Sequence, residues 1–133
     1  MKKLNLILLI GVLYGCSVTK DGVVINVPTV PSVSICPNVA TDNDAAAMAE
    51  KIESQAFADE RLARARMVTK DYCFVSSQML TILDAFVFDS NRLIMAKELY
   101  RQTTDKSNYD TIVDSFVHKS DRDELMDYIS QNP

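Results

Sequence analysis

Three cysteines, a single histidine and three evenly spaced arginines are the residues here with most chemistry to offer. Cys73, with Ser76 and Ser77 close by, would serve as a nucleophile if an imidazole activated it, and His118 is the one imidazole available. Nothing in the chain brings the two together, and no orienting glycine turn surrounds Cys73. A lone histidine excludes a two-histidine metal site. Asp42 and Asp44 lack the glycine and closing glutamate that a calcium loop requires. With three glycines in all there is no nucleophile elbow, phosphate loop or dinucleotide fingerprint. The reading is a non-enzyme without metal or cofactor. His118 is expected as a half-buried ring at a helix junction, with a pH-sensing role as the alternative.

Arg61, Arg92 and Arg122 recur at one spacing, and Asp84 and Asp114 share it. One reading makes them a charged interaction face for an anionic or peptidic partner. The favoured reading is plainer: each arginine clamps a helix end or pairs across a turn. Arg61, Arg64, Arg66 and Lys70 lie among Asp59, Glu60 and Asp71, so this basic cluster reads as a solvated helix face.

The spacing comes from an internal repeat. Ile82 to Arg92 matches Ile112 to Arg122 at an offset of thirty, and Gln55 to Leu62 echoes Phe88 to Leu93 at thirty-one. Met79, Ile82, Leu83 and Phe86 fall on one helical face, as do Ile112, Val113 and Phe116; Leu93, Ala96 and Tyr100 line the helix between them. Capping boxes are expected at Thr41–Asp44, Ser107–Asp110 and Ser120–Asp123, with Ser76 capping a further helix. These signals predict an all-α fold of six helices near 44–56, 59–70, 76–86, 90–103, 108–116 and 121–130. They form three imperfect helix pairs of about 30 residues, which must stack to bury their apolar stripes.

Before the repeat, Lys2 and Lys3 precede the apolar run Leu4–Tyr14, which as helix spans roughly half of a ~30 Å hydrocarbon core. That is a signal-peptide pattern and not a membrane span. Leu13-Tyr14-Gly15-Cys16 resembles the lipobox of bacterial lipoproteins, with Tyr14 less usual at its place. The resemblance implies cleavage between Gly15 and Cys16, acylation of Cys16, and, as Ser17 and not Asp follows, an outer-membrane location facing the periplasm. Two or more acyl chains hold a protein stably at a membrane, each buried methylene contributing ~0.8 kcal/mol. Residues 1–15 are thus the signal peptide, 16–43 a Val/Pro linker, and 44–133 the helical domain. Gly22–Val27 packing back as an edge strand is the alternative within the linker. Cleavage leaves twelve basic against eighteen acidic residues, a net charge of −6. That balance argues against nucleic acid as partner and against electrostatic attraction to anionic lipid as the anchor.

In an oxidising compartment Cys36 and Cys73 could bridge, pinning the linker to the domain; two separate thiols are an equal alternative. Phe57 to Ile129 resembles an uncharacterised family, domain of unknown function 4476. The resemblance rests on Arg61-Leu62 with Ala65, Cys73, Ser76 with Gln78, and Phe86 to Leu93 with Ala96-Lys97. It continues through Tyr109, Asp114-Ser115-Phe116, Ser120, Glu124-Leu125 and Tyr128-Ile129. His118 and Lys119 depart from its pattern. It implies an all-helical domain and no known activity. The leading expectation is a non-catalytic, membrane-tethered module of the cell envelope that binds a protein partner. A small-ligand carrier or envelope stress factor, binding between helices lined by methionines and tyrosines, is the alternative.

Overall fold

The computed structural model describes residues 36–133. These form six α-helices: α1 Asp42–Glu53, α2 Ala58–Thr69, α3 Ser76–Leu83, α4 Asp89–Tyr100, α5 Asp110–Asp114 and α6 Lys119–Gln131, with a 3₁₀ turn at Lys106–Asn108 before α5. Among the described residues there is no β-strand, only two isolated bridges. The all-α expectation holds.

Local chemistry explains where some helices begin. At α1 the Asp44 N–H donates to Thr41 Oγ1 (3.2 Å) and the Thr41 N–H donates to Asp44 Oδ2 (2.8 Å), a complete capping box. The Thr41 N–H foremost, and the Thr41 hydroxyl, which also donates to Asp44 Oδ2 (2.7 Å), hold the Asp44 carboxyl below the usual aspartate range. The other expected caps are not formed. Ser76 is the first residue of α3 and not its cap; its N–H and hydroxyl both donate to Asp105 Oδ1, at 2.7 and 3.0 Å. The Val75 N–H is taken instead by Gln78 Oε1 at 3.1 Å. Neither Ser107 nor Ser120 caps a helix: α5 follows Tyr109 and α6 follows His118, both without a side-chain cap bond. A hydroxyl at the right spacing loses this competition when tertiary packing starts the helix a residue or two away.

Successive helices form hairpins, α1–α2, α3–α4 and α5–α6. The odd helices make one layer (α1 on α3, α3 on α5) and the even helices the other (α2 on α4, α4 on α6). Helices α2, α4 and α6 start at residues 58, 89 and 119, reproducing the sequence offsets of thirty-one and thirty. Between the layers Ile52, Phe74, Met79, Ile82, Leu83, Leu99, Ile112, Phe116 and Leu125 are fully buried. Each such side chain contributes roughly 1.5–3 kcal/mol of transfer free energy. Tyr109 is buried among them, its hydroxyl donating to Ala96 O at 2.5 Å and its ring edge-on to Tyr100 at 4.8 Å. Burial, reinforced by the Tyr100 and Tyr128 phenols, pushes its ionisation well above the ordinary tyrosine value.

Because the hairpins are antiparallel, the stack has two poles. At the first lie residues 36–41 and the α2–α3 and α4–α5 connections. There the Cys73 N–H donates to Asn38 O (2.7 Å) and the Ala40 N–H to Cys73 O (2.8 Å). The next connection is joined in the same way, Phe74 N–H to Gln102 O and Thr104 N–H to Phe74 O, both 2.9 Å. Cys36 is bonded to Cys73, their Cα atoms 5.7 Å apart. Val39 bridges to Cys73, and Ala40 is buried in the core. A domain starting at residue 44 is therefore too short, since the last stretch read as linker is built into the fold. The prolines suggested linker, but backbone bonding to a loop more than thirty residues away decided otherwise. Gly22–Val27 and the rest of the linker up to residue 35 lie outside the described residues.

Candidate functional site

The opposite pole carries the three hairpin turns: 54–57, 84–88 and 115–118. The recurrent arginines build it. Arg61 donates from Nε to Gln55 O (3.0 Å) and from a terminal nitrogen to Glu53 O (3.2 Å) within its own hairpin. Its other terminal nitrogen donates to Ala85 O (2.9 Å) in the next. Arg92 repeats this logic, with one terminal nitrogen shared between Asp84 Oδ1 (3.0 Å) and Ser115 Oγ (3.1 Å) of the following turn. Its guanidinium lies 5.3 Å from the Phe116 ring centroid. Arg122 donates to Phe116 O (2.6 Å) and Val117 O (3.2 Å) of its own turn. The planar fork of five donors suits carbonyls that a helix end leaves unpaired. The favoured reading of Arg61, Arg92 and Arg122 as clamps of helix ends accounts for these bonds, and the other reading, a charged interaction face, does not. These groups staple turn to turn, and the Arg92 side chain is only 15% exposed.

What the pole presents outward is apolar. Phe57 is 69% exposed, Val87 71%, Phe88 59% and Val117 77%. The alternate residues Phe86 and Phe116 point the other way and are buried. Phe57, Phe88 and His118 are the N-cap residues of α2, α4 and α6, all extended and none making a side-chain cap bond. Ser, Thr, Asp and Asn are strongly preferred at that position, because their oxygens take a free first-turn N–H. Two of the three even helices therefore begin with an aromatic ring that neither caps the helix nor enters the core.

Between the first two turns lies a hollow of about 200 Å³, lined by Ala56, Ala58, Phe86, Val87, Phe88 and Asn91 together with Arg61. Its donors are engaged: Arg61 as described, and Asn91 Nδ2 to Ala58 O at 3.0 Å. Two alanines, stopping at Cβ, leave the space open. The result is an apolar cup at the surface.

The remaining residues of interest lie apart. Cys73 is buried, bonded to Cys36 and at the first pole, whereas His118 is at the second. They do not form a nucleophile and base. His118 is exposed and not half-buried, its Nε2 3.8 Å from Asp89 Oδ2. In the basic cluster Arg66 pairs with Glu98 across α2 and α4 (2.6 Å) at the surface. Gly15 and Cys16 lie outside the described residues. No helix among the described residues is long and apolar enough to cross a membrane.

The sequence marks an aromatic turn in each repeat, with Phe57, Phe88 and His118 at one repeat position, but does not mark those residues as an exposed site. Phe57 and Phe88 stand one residue ahead of acidic or small helix-opening residues, out of phase with the buried face of either flanking helix.

A family model described as Domain of unknown function (DUF4476) matches residues 39–129, more than half of the chain. It begins at the residue that bridges to Cys73, not at 44. No curated protein and no solved structure matches the chain.

Proposed function

The chain belongs to the Domain of unknown function (DUF4476) family, and on that premise we propose that it is a non-catalytic protein-interaction module, carried on a lipoprotein tethered in the bacterial cell envelope. One observation carries the reading: exposed aromatic residues occupy helix N-cap positions at equivalent places in successive repeats. A feature that breaks a local rule, exposes apolar surface and is repeated is a mark of function more than of folding. The lipobox-like Leu13-Tyr14-Gly15-Cys16 supports acylation at Cys16, and Ser17 in place of Asp after it supports an outer-membrane address facing the periplasm.

Proximity cross-linking in native membranes tests this. A protein partner should be recovered above a Cys16→Ser control, and recovery of none would retire the reading. In membrane fractionation the Cys16→Ser protein should leave the detergent phase. The small-ligand carrier has less support: the hollow of about 200 Å³ lies below the roughly 300–1,000 Å³ typical of ligand pockets, and that of about 310 Å³ beside Ser76 and Asp105 only reaches its lower edge. Mass spectrometry of the natively purified protein checks it, with no co-purifying small molecule expected.

A further inference from the structure

The hollow between the first two turns has room for one large apolar side chain, and its walls Val87 and Phe88 are themselves exposed. Its surroundings are acidic. Asp59 and Glu60, both exposed, open α2 next to Ala58, and half-buried Asp89, 3.8 Å from His118 Nε2, opens α4 next to Phe88. On the basic side, Arg61 and Arg92 are turned inward on carbonyls, Asp84 and Ser115. Lys51, on the last turn of α1, is exposed.

We propose that this cup binds a cationic segment of another protein, an apolar side chain seated between Ala56 and Phe88 and flanking Lys or Arg residues facing Asp59, Glu60 and Asp89. The inference rests on the interaction-module reading and names its partner class. Three occupants compete for an apolar cup, and charge separates them. A second copy docked through the same pole would set one acidic rim against another, which like-charge repulsion opposes. An anionic lipid surface is repelled by the same rim. A basic segment with an apolar anchor gains on both counts: the anchor is desolvated in the cup while the charges at the rim set orientation and encounter rate.

The aromatic caps give a second line of support. Serine at position 88 would cap α4 better than phenylalanine does, so the ring is held at this exposed place against local helix stability. That is the cost expected of a contact residue.

The test uses the full chain in its own membranes, with a photo-cross-linking amino acid at position 88 and, as control, at position 101 of the first pole. The proposal expects a cross-link from position 88 to a segment carrying net positive charge and an apolar residue at the cross-link, and none from 101. A cross-link from 88 to a neutral or acidic segment overturns the cationic partner while leaving the interaction module standing; no protein cross-link from 88 overturns the site. A cross-link to the same chain makes the pole a self-association face and overturns the proposal. In parallel, the detergent-purified full chain is titrated with a Leu-faced, Lys-rich helical peptide, its Glu-rich counterpart, and phosphatidylglycerol vesicles. The Lys peptide should bind at least tenfold more tightly than the Glu peptide, weaken with salt, and lose at least tenfold in affinity with Phe88→Ser or with Ala56→Leu, which plugs the cup. Equal binding of both peptides, or vesicle binding that Phe88→Ser abolishes, overturns it. Phe88→Ser is expected to fold at least as well as the parent, so a loss of binding is not a loss of structure.

Discussion

The two poles of the stack are held together by different means, and they present different surfaces. At the first pole, main chain bonds to main chain: 36–41 to 73, and 74 to 102 and 104, locked by Cys36–Cys73 and by Ser76 and Asn108 on Asp105. At the second, side chains do the joining, as Arg61 and Arg92 each reach from one hairpin turn to the next. A backbone bridge consumes the turn's own polar groups and draws its residues inward, so Phe74 is wholly buried. An arginine reaching in from the helix behind leaves the tip of the turn free to face outward. That is how Phe57, Val87, Phe88 and Val117 come to be exposed on turns that are nonetheless fixed. One pole is built to be closed, the other to be rigid and open.

The contrast is sharpest in stability. Cys73→Ser, or reduction of the bond to Cys36, releases a loop with 37 residues of separation. It should cost about 2–4 kcal/mol, a fall in melting temperature on the order of 10 °C, read by thermal unfolding with and without reductant. An unchanged midpoint would mean that the backbone bridges alone close the first pole. Next in size are the clamps. Arg61→Met strips partners from three carbonyls, one of them on buried Ala85, and should cost about 2–3 kcal/mol. Arg122→Met, which serves a single turn, should cost about 1 kcal/mol in the same denaturant titration. Equal losses would show that reaching the next turn adds nothing.

Phe88→Ser should move the other way, gaining about 0.5–1 kcal/mol by supplying the missing cap. A loss in chemical denaturation would mean that the ring supports the fold and is not a contact residue. The smallest effect concerns pH. Burial opposes ionisation of Asp105, but hydrogen bonds from Asn108 and from the Ser76 backbone and hydroxyl outweigh it and lower its pKa. A depressed carboxylate contributes stability that is complete above the ordinary aspartate value of about 3.9 and is lost as pH falls through the lowered one. Acid unfolding below about pH 4 should therefore be shallower in Asp105→Asn than in the parent, and identical acid titrations would show that Asp105 adds no linkage.

Much of this architecture was legible because a repeat poses one packing problem three times. The offsets of thirty and thirty-one, the buried faces of α3 and α4, and the arginine register all follow from it. Helix starts were less so. Ser76 binds Asp105, 29 residues away, and the even helices start behind Phe57, Phe88 and His118, where capping rules point elsewhere. The same departures hid the candidate site, since an aromatic residue in a repeat suggests core, and only the turn geometry separates buried Phe86 from exposed Phe88. The attachment of Val39 and Ala40 to Cys73 depends on contacts that no local pattern encodes.

The disulfide also sets how the molecule would bear a load. Were the chain held from the N-terminal side of Cys36 and pulled at the turn 84–88, tension would cross from Cys36 directly to Cys73 through the sulfurs. Residues 37–72, including α1 and α2, form a closed loop outside that route. Between Cys73 and the turn there remains α3 with its short flanks, eight helical residues anchored by Ser76 on Asp105 and by Gln78 on Ala40. A force that would otherwise peel the first hairpin from the stack instead meets a short, pinned strut.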